Sequence, residues 1–255
     1  MNKYSLLLIV LLLSFTGFAQ KKDSTNNISH FSGSINVTNN GISLVPTFSL
    51  GKPAAFFLLS VGKGRLSFEP DLRFALEGGK PWSLLFWWRY KVIPNGKFRL
   101  TAGAHPAFNF RTYRLLVNGD STDVLVTRRF LAGELAPNYF ITQNISVGVY
   151  YLFSIGFDIN TPRYSHFITF NSNISNIGLP GNIKLRLTPQ VYYLKQDKRD
   201  GFYFTSAATL SKTNFPFAVS SIINKTLSGN ILGSKDFVWN MTLTYSFNKN
   251  YVRHQ

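Results

Sequence analysis

The stretch Phe98-Arg99-Leu100-Thr101-Ala102-Gly103-Ala104-His105-Pro106-Ala107-Phe108-Asn109-Phe110-Arg111 separates into two interleaved sets. Phe98, Leu100, Ala102, Ala104, Pro106, Phe108 and Phe110 form one. Arg99, Thr101, Gly103, His105, Ala107, Asn109 and Arg111 form the other. A period of two is that of a β-strand, whose side chains point alternately to opposite faces. The apolar set is aromatic at both ends, and the other set carries three charged or titratable side chains. One face of this strand is therefore made for an apolar medium and the other for a polar one.

The same pattern repeats outward from this strand. Pro94-Asn95-Gly96 is a tight turn before it, and residues 82–92 before that put Trp82, Leu84, Phe86, Trp88, Tyr90 and Val92 on one face. Leu66, Phe68, Pro70, Leu72, Phe74 and Leu76 form a further apolar face, with Arg65, Ser67, Glu69, Asp71, Arg73, Ala75 and Glu77 opposite. Residues 54–62 read as one strand. The apolar positions Ile42, Leu44, Pro46, Phe48 and Leu50 read as another, either joined to or separate from an alternating run that begins at Phe31. His30-Phe31-Ser32 lies in a Ser/Asn-rich stretch. Downstream, strands are expected near 124–138, 145–157, 164–174, 183–195, 201–210, 215–223 and 236–247. Arg128 and Arg129 are adjacent, so one must point each way. The run Lys195-Gln196-Asp197-Lys198-Arg199-Asp200 is a solvated hairpin end.

Aromatic residues make up 16% of the chain, with 24 Phe, 12 Tyr and 4 Trp. A soluble sandwich core favours interlocking Val, Ile and Leu. Long rows of Phe with Trp and Tyr suit a lipid-facing surface instead. In hydrocarbon an open sheet edge would leave backbone groups unpaired, so the sheet must close. The expected fold is all-β: an antiparallel transmembrane β-barrel of about twelve strands, within a range of ten to fourteen.

The N-terminus begins Met1-Asn2-Lys3, runs apolar from Tyr4 to Phe18, and offers Gly17-Phe18-Ala19 for cleavage after Ala19. Residues 1–19 are thus expected to be a secretory signal peptide. Residues 20–29 follow as a flexible N-terminus, 30–247 as the barrel and 248–255 as a C-terminal tail. There is no cysteine, which excludes disulfides, thiolate metal sites and an acylated N-terminal Cys.

Asn40-Gly41-Ile42-Ser43, the run from Pro46 to Ala54, Lys80-Pro81-Trp82 and Phe86-Trp87-Trp88-Arg89-Tyr90 together resemble small outer-membrane β-barrels of the Bacteroidetes type. The last strand, rich in alternating aromatics up to Phe247, resembles the C-terminal insertion signal of Gram-negative outer-membrane proteins. The resemblance implies the cell outer membrane as location and the barrel-assembly machinery as a partner during insertion. It implies no substrate and no functional residue.

The formal charge is +16. With no basic helix and no nucleic-acid module, nucleic acid is not an expected partner. Basic residues at strand ends can hold lipopolysaccharide, and those on the inner face can line a lumen. The expected lumen-lining set is Arg65, Glu69, Asp71, Arg73, Arg89, Lys91, Arg99, His105, Asn109, Arg111, Lys184 and Arg186, with Glu77 and Glu134 as further inner acids. Such a lumen is either a small pore with weak anion preference for small anionic solutes, or an Arg–Glu lattice in a non-conducting barrel that binds lipopolysaccharide or a partner.

An outer-membrane lipid hydrolase needs a Ser–His pair with an orienting acid or amide. Of His30, His105, His166 and His254, only His30 has a Ser two positions away, Ser32, and that pair lies in the Ser/Asn-rich stretch outside a well-defined strand. His30-Phe31-Ser32 is the nearest approach, and His166 is expected at the interface. No enzyme activity, cofactor or metal site is expected.

Overall fold

The computed structural model describes residues 28–117 and 120–252. The segment expected to be the signal peptide lies outside them. Twelve strands run in chain order: β1 (Ile28–Thr38), β2 (Ala54–Lys63), β3 (Leu66–Ala75), β4 (Pro81–Ile93), β5 (Phe98–Val117), β6 (Asp120–Phe140), β7 (Ile145–Gly156), β8 (Tyr164–Leu179), β9 (Ile183–Gln196), β10 (Arg199–Lys212), β11 (Phe217–Gly229) and β12 (Phe237–Val252). Each pairs antiparallel with its sequence neighbours. β1 pairs with β12 from Ile28↔Val252 to Thr38↔Thr242, which closes the barrel.

Exposure runs opposite to that of a soluble protein. Trp88 and Met241 are 52% and 53% exposed, while Asn224 and Thr205 are 4% and 1% exposed. Burying amides and hydroxyls while exposing aromatics is stable only where the outer medium is apolar and the inner groups find hydrogen-bond partners. The outward rows match the alternation: Phe98, Leu131, Tyr151, Ile168, Val191, Trp239 and Leu243 are all exposed.

Both described ends of the chain lie at one rim, together with the short connections 64–65, 94–97, 141–144, 180–182 and 213–216. The opposite rim carries the longer connections 39–53, 157–163 and 230–236. There β5 and β6 also outrun their neighbours. β4 pairs with β5 only as far as Ser83↔Asn109, and β7 with β6 only as far as Gly156↔Phe130. The remaining hairpin projects roughly 25 Å beyond the wall at strand rise.

Several expectations change. Residues 42–50 are not a strand. They belong to the β1–β2 connection, with a short 3-10 turn at Pro46–Phe48. Pro46 donates no ladder hydrogen bond, and the apolar residues around it find partners inside the barrel. His30-Phe31-Ser32 lies within β1. Asn248 to Val252 continue β12 against Ile28 to Ser32, so the barrel extends past both expected limits, 30 and 247. Trp82 points inward and is 2% exposed, because the β3–β4 register shifts between Ser83↔Arg73 and Pro81↔Phe74. That leaves Trp82 as the extra residue of a bulge, which re-aims a side chain. Leu76 and Glu77 fall beyond β3 in the following loop, so Glu77 is not an inner acid.

Candidate functional site: a loop-filled lumen and its basic mouth

The inner wall divides into two electrostatic regions. In the first, charges are matched. Arg89 on β4 donates from Nε and Nη2 to Glu134 of β6, at 2.5 and 3.2 Å, and from Nη1 to Glu69 of β3 at 2.5 Å. Tyr150 Oη of β7 donates to Glu134 at 2.7 Å, and Ser67 Oγ to Glu69 at 2.7 Å. Gly103 stands opposite Glu134, where a Cβ would meet the carboxylate at 2.9 Å. A small residue there gives the ion cluster its room. Arg73 grips Asp71 with two hydrogen bonds of 2.8 and 2.6 Å and lies over the Trp82 ring. His105 is buried against Trp87, ring centres 3.7 Å apart, with Nδ1 3.2 Å from Pro106 O. Trp87 also carries the Arg89 guanidinium at 4.2 Å.

The second feature is the loop 39–53, which folds into the lumen. Leu44 and Val45 pack against the buried cluster Phe167, Tyr192, Leu194, Tyr203 and Ile231, from β8, β9, β10 and the β11–β12 loop. Phe48 meets Phe130 of β6 edge-on at 4.9 Å. Trp82 Nε1 donates to Phe48 O at 2.6 Å. Arg111 of β5 donates to Ser49 O at 2.8 Å and also to Thr47 O. Gln196 of β9 reaches Thr47 Oγ1 at 3.3 Å. The loop therefore touches walls several strands apart and narrows the passage between them. A second loop backs it, with a Cβ at Gly233 falling 3.5 Å from Pro46 O.

Above this loop, at the long-loop rim, is a cavity of about 830 Å³. Its charged lining is Arg111, Arg128, Lys198, Arg199, Lys235 and a single acid, Asp197. The Asp197 carboxylate is already taken by the backbone N–H groups of Arg163 and Tyr164, at 2.9 and 2.8 Å. None of the five cations joins the ion pairs seen among the described residues. Arg111 and Arg128 are diagonal neighbours on adjacent strands, since Asn109 is the direct partner of Arg128.

Of the residues expected to line the lumen, Glu69, Asp71, Arg73, Arg89, His105 and Asn109 form the matched region, and Arg111 belongs to the mouth. Arg65 sits in the β2–β3 turn. Lys91 and Arg99 lie exposed near the short-turn rim, Arg99 over the Phe140 ring. Lys184 and Arg186 are exposed but share the inward parity of Tyr192 and Leu194. The mouth cations Arg128, Lys198, Arg199 and Lys235 were not in the expected set. Arg128 turns inward and Arg129 outward, where it pairs with Asp158 at 2.7 Å. His30 Nε2 lies 2.8 Å from Ser60 Oγ across the β1–β2 ladder, and His166 faces out beside Tyr151. Among the described residues, no three potential ligands converge as a metal site.

A closed antiparallel barrel with an apolar exterior and a polar lumen is the architecture of outer-membrane β-barrels. Among solved structures, the chain is similar to an outer-membrane channel from Pseudomonas putida F1, at TM-score 0.50 and 12% identity over 86% of this chain and 94% of that one. It is also similar to the KdgM porin in complex with disordered oligogalacturonate, at TM-score 0.49 and 11% identity over 86% and 99%. OmpT of Vibrio cholerae matches at 0.43 and 10% over 89% and 99%. At 12% identity the likeness to the Pseudomonas putida channel is one of fold alone. The sequence matches no protein-family model and no curated protein.

Proposed function

We propose that the protein is an outer-membrane pore of small effective bore, constricted by the loop 39–53 and preferring anions. The long-loop rim is its extracellular face and the short-turn rim its periplasmic face, as is usual for such barrels. The observation that carries the reading is the asymmetry of the lumen charge. Where Glu69, Asp71 and Glu134 occur they are matched by Arg73 and Arg89. At the mouth, five cations face one already engaged carboxylate. A funnel of one sign walled by low-dielectric protein concentrates counter-ions and raises their entry rate.

The test is planar-bilayer recording of the intact barrel and of a variant with residues 43–50 replaced by a short Gly/Ser linker. The variant is expected to conduct several-fold more, with a reversal potential of anion sign in a salt gradient. Cation sign would defeat the electrostatic argument. Silence from both proteins would defeat the pore and favour a non-conducting barrel that holds lipopolysaccharide or a partner. We propose no hydrolytic role. His30 and Ser60 are close, yet no described hydrogen bond brings a carboxylate or amide to orient the imidazole.

A further inference from the structure

We infer that the mouth cavity is a binding site for a solute carrying two or more neighbouring anionic groups, and that its occupant releases the constricting loop by drawing Arg111 away from it. The release half rests on the pore reading above, and the binding half does not.

Three observations point there. The first is the volume of about 830 Å³, which lies within the range of small-ligand sites. The second is the pair Arg111 and Arg128, two half-buried guanidiniums on adjacent strands with no carboxylate between them. Like charges so placed repel, and a bidentate anion between them removes the repulsion while using their planar forks. Lys198, Arg199 and Lys235 surround the same space, so a doubly or triply charged solute gains more than a monovalent one. The third is the double duty of Arg111. It lines the cavity, and it is also the side chain whose two terminal nitrogens hold the loop, at Thr47 O and Ser49 O. An anion engaging both nitrogens competes with two carbonyls. A ligand shifts a two-state loop only by its differential affinity for the two states. Here the difference is explicit, because with the loop latched Arg111 has fewer donors to offer.

The cavity also has uncharged polar walls, including Asn224, Thr226 and Asn160, and an apolar floor at Pro46 and Leu50. These suit the neutral portion of an organic polyanion. Phosphate and carboxylate groups share the needed geometry, so two probes are used, pyrophosphate and citrate.

Titration calorimetry on the full detergent-solubilised barrel, at matched ionic strength, should show saturable binding of at least one probe and none of chloride. Arg128→Gln and Arg199→Gln should each weaken it about tenfold. Binding no stronger than that of chloride, or unchanged in both variants, would overturn the site. Citrate alone or pyrophosphate alone would identify the anion chemistry within the supported site. Release is read separately. The chain lacks cysteine, so a Thr47→Cys/Gln196→Cys pair joined by a short bis-maleimide can tether the loop to the wall. The bound probe should increase open-state occupancy in the intact barrel and leave the cross-linked variant unresponsive. Binding without such an increase, in a barrel whose loop-replaced variant does conduct, would overturn the release half while the pore reading stands. A loop-replaced variant that never conducts would instead count against the pore reading and with it the release half, leaving the calorimetric result to decide the site.

Discussion

Arg89 holds two carboxylates at once, and Glu134, almost fully buried, depends on it. Removing one partner of a buried pair leaves an uncompensated charge, which costs about 3 kcal/mol or more. Arg89→Ala, which strands the buried Glu134 carboxylate and frees Glu69 as well, should therefore lower unfolding stability in lipid vesicles by about that amount, measured by urea titration. Replacing Arg89 and Glu134 together by apolar residues should recover much of the loss. A loss from the double change as large as the summed single losses would show that the two side chains are not coupled. Lys52 and Glu77 form a second, exposed pair that ties the end of the plug loop to the β3–β4 connection at 2.7 Å. The Lys52 ammonium hydrogen bond, and after it the attraction of its charge, holds the Glu77 carboxyl below its ordinary value of 4.5. A carboxyl depressed in the folded state stabilises it fully above the ordinary value, and that contribution is lost as pH falls through the folded value. Loop fluctuation, read as current noise, should rise on acidification below 4.5. Glu77→Gln should show the same noise at neutral pH.

The elements differ in how plainly the sequence declares them. β5 and β7 alternate without a break, and every position falls on one face or the other. Residues 42–50 alternate as well, yet they form no strand. Their apolar side chains serve a small core inside the lumen, and alternation alone cannot distinguish a lipid-facing row from a loop that buries Leu44 and Phe48 against Tyr192 and Phe130. Trp82 departs from its strand parity for a related reason. A one-residue bulge inverts facing locally, and nothing in Lys80-Pro81-Trp82-Ser83 announces it. Most of the mouth cations lie at strand ends and in loops, where parity carries no information. Within regular strands the facing is sharp and can be tested. Spin labels at Phe170, exposed on β8, and at Asn171 beside it should respond oppositely to oxygen and to a water-soluble quencher. Leu135→Arg, on the outer face of β6 halfway between Phe130 and Phe140, should cost about 2–4 kcal/mol as a charge near the bilayer midplane. A cost near zero would move that band out of the hydrocarbon.

At the scale of the whole barrel, the excess positive charge is not spread evenly. The inner acids sit in the matched region and leave the mouth cationic. The anion preference proposed above would be a field effect, so it should fade with salt. The screening length falls from about 10 Å at 0.1 M to about 3 Å at 1 M, and the anion-to-cation permeability ratio should fall toward one over that range. A ratio independent of salt would point to direct coordination in the constriction instead. The seam between β1 and β12 has a further consequence, for biogenesis. These strands are the first and last of the barrel, more than two hundred residues apart at Thr38↔Thr242, so their zipper must await the last hairpin. The plug is rooted directly after β1, beside that gap. While the sheet is still an open trough, residues 39–53 can settle sideways onto its floor. Once the zipper shuts, the same loop could enter only through the mouth. Anchored at that rim by Thr38 and Ala54, the loop can still leave and return there, so closure of the seam narrows its route without making its latching irreversible.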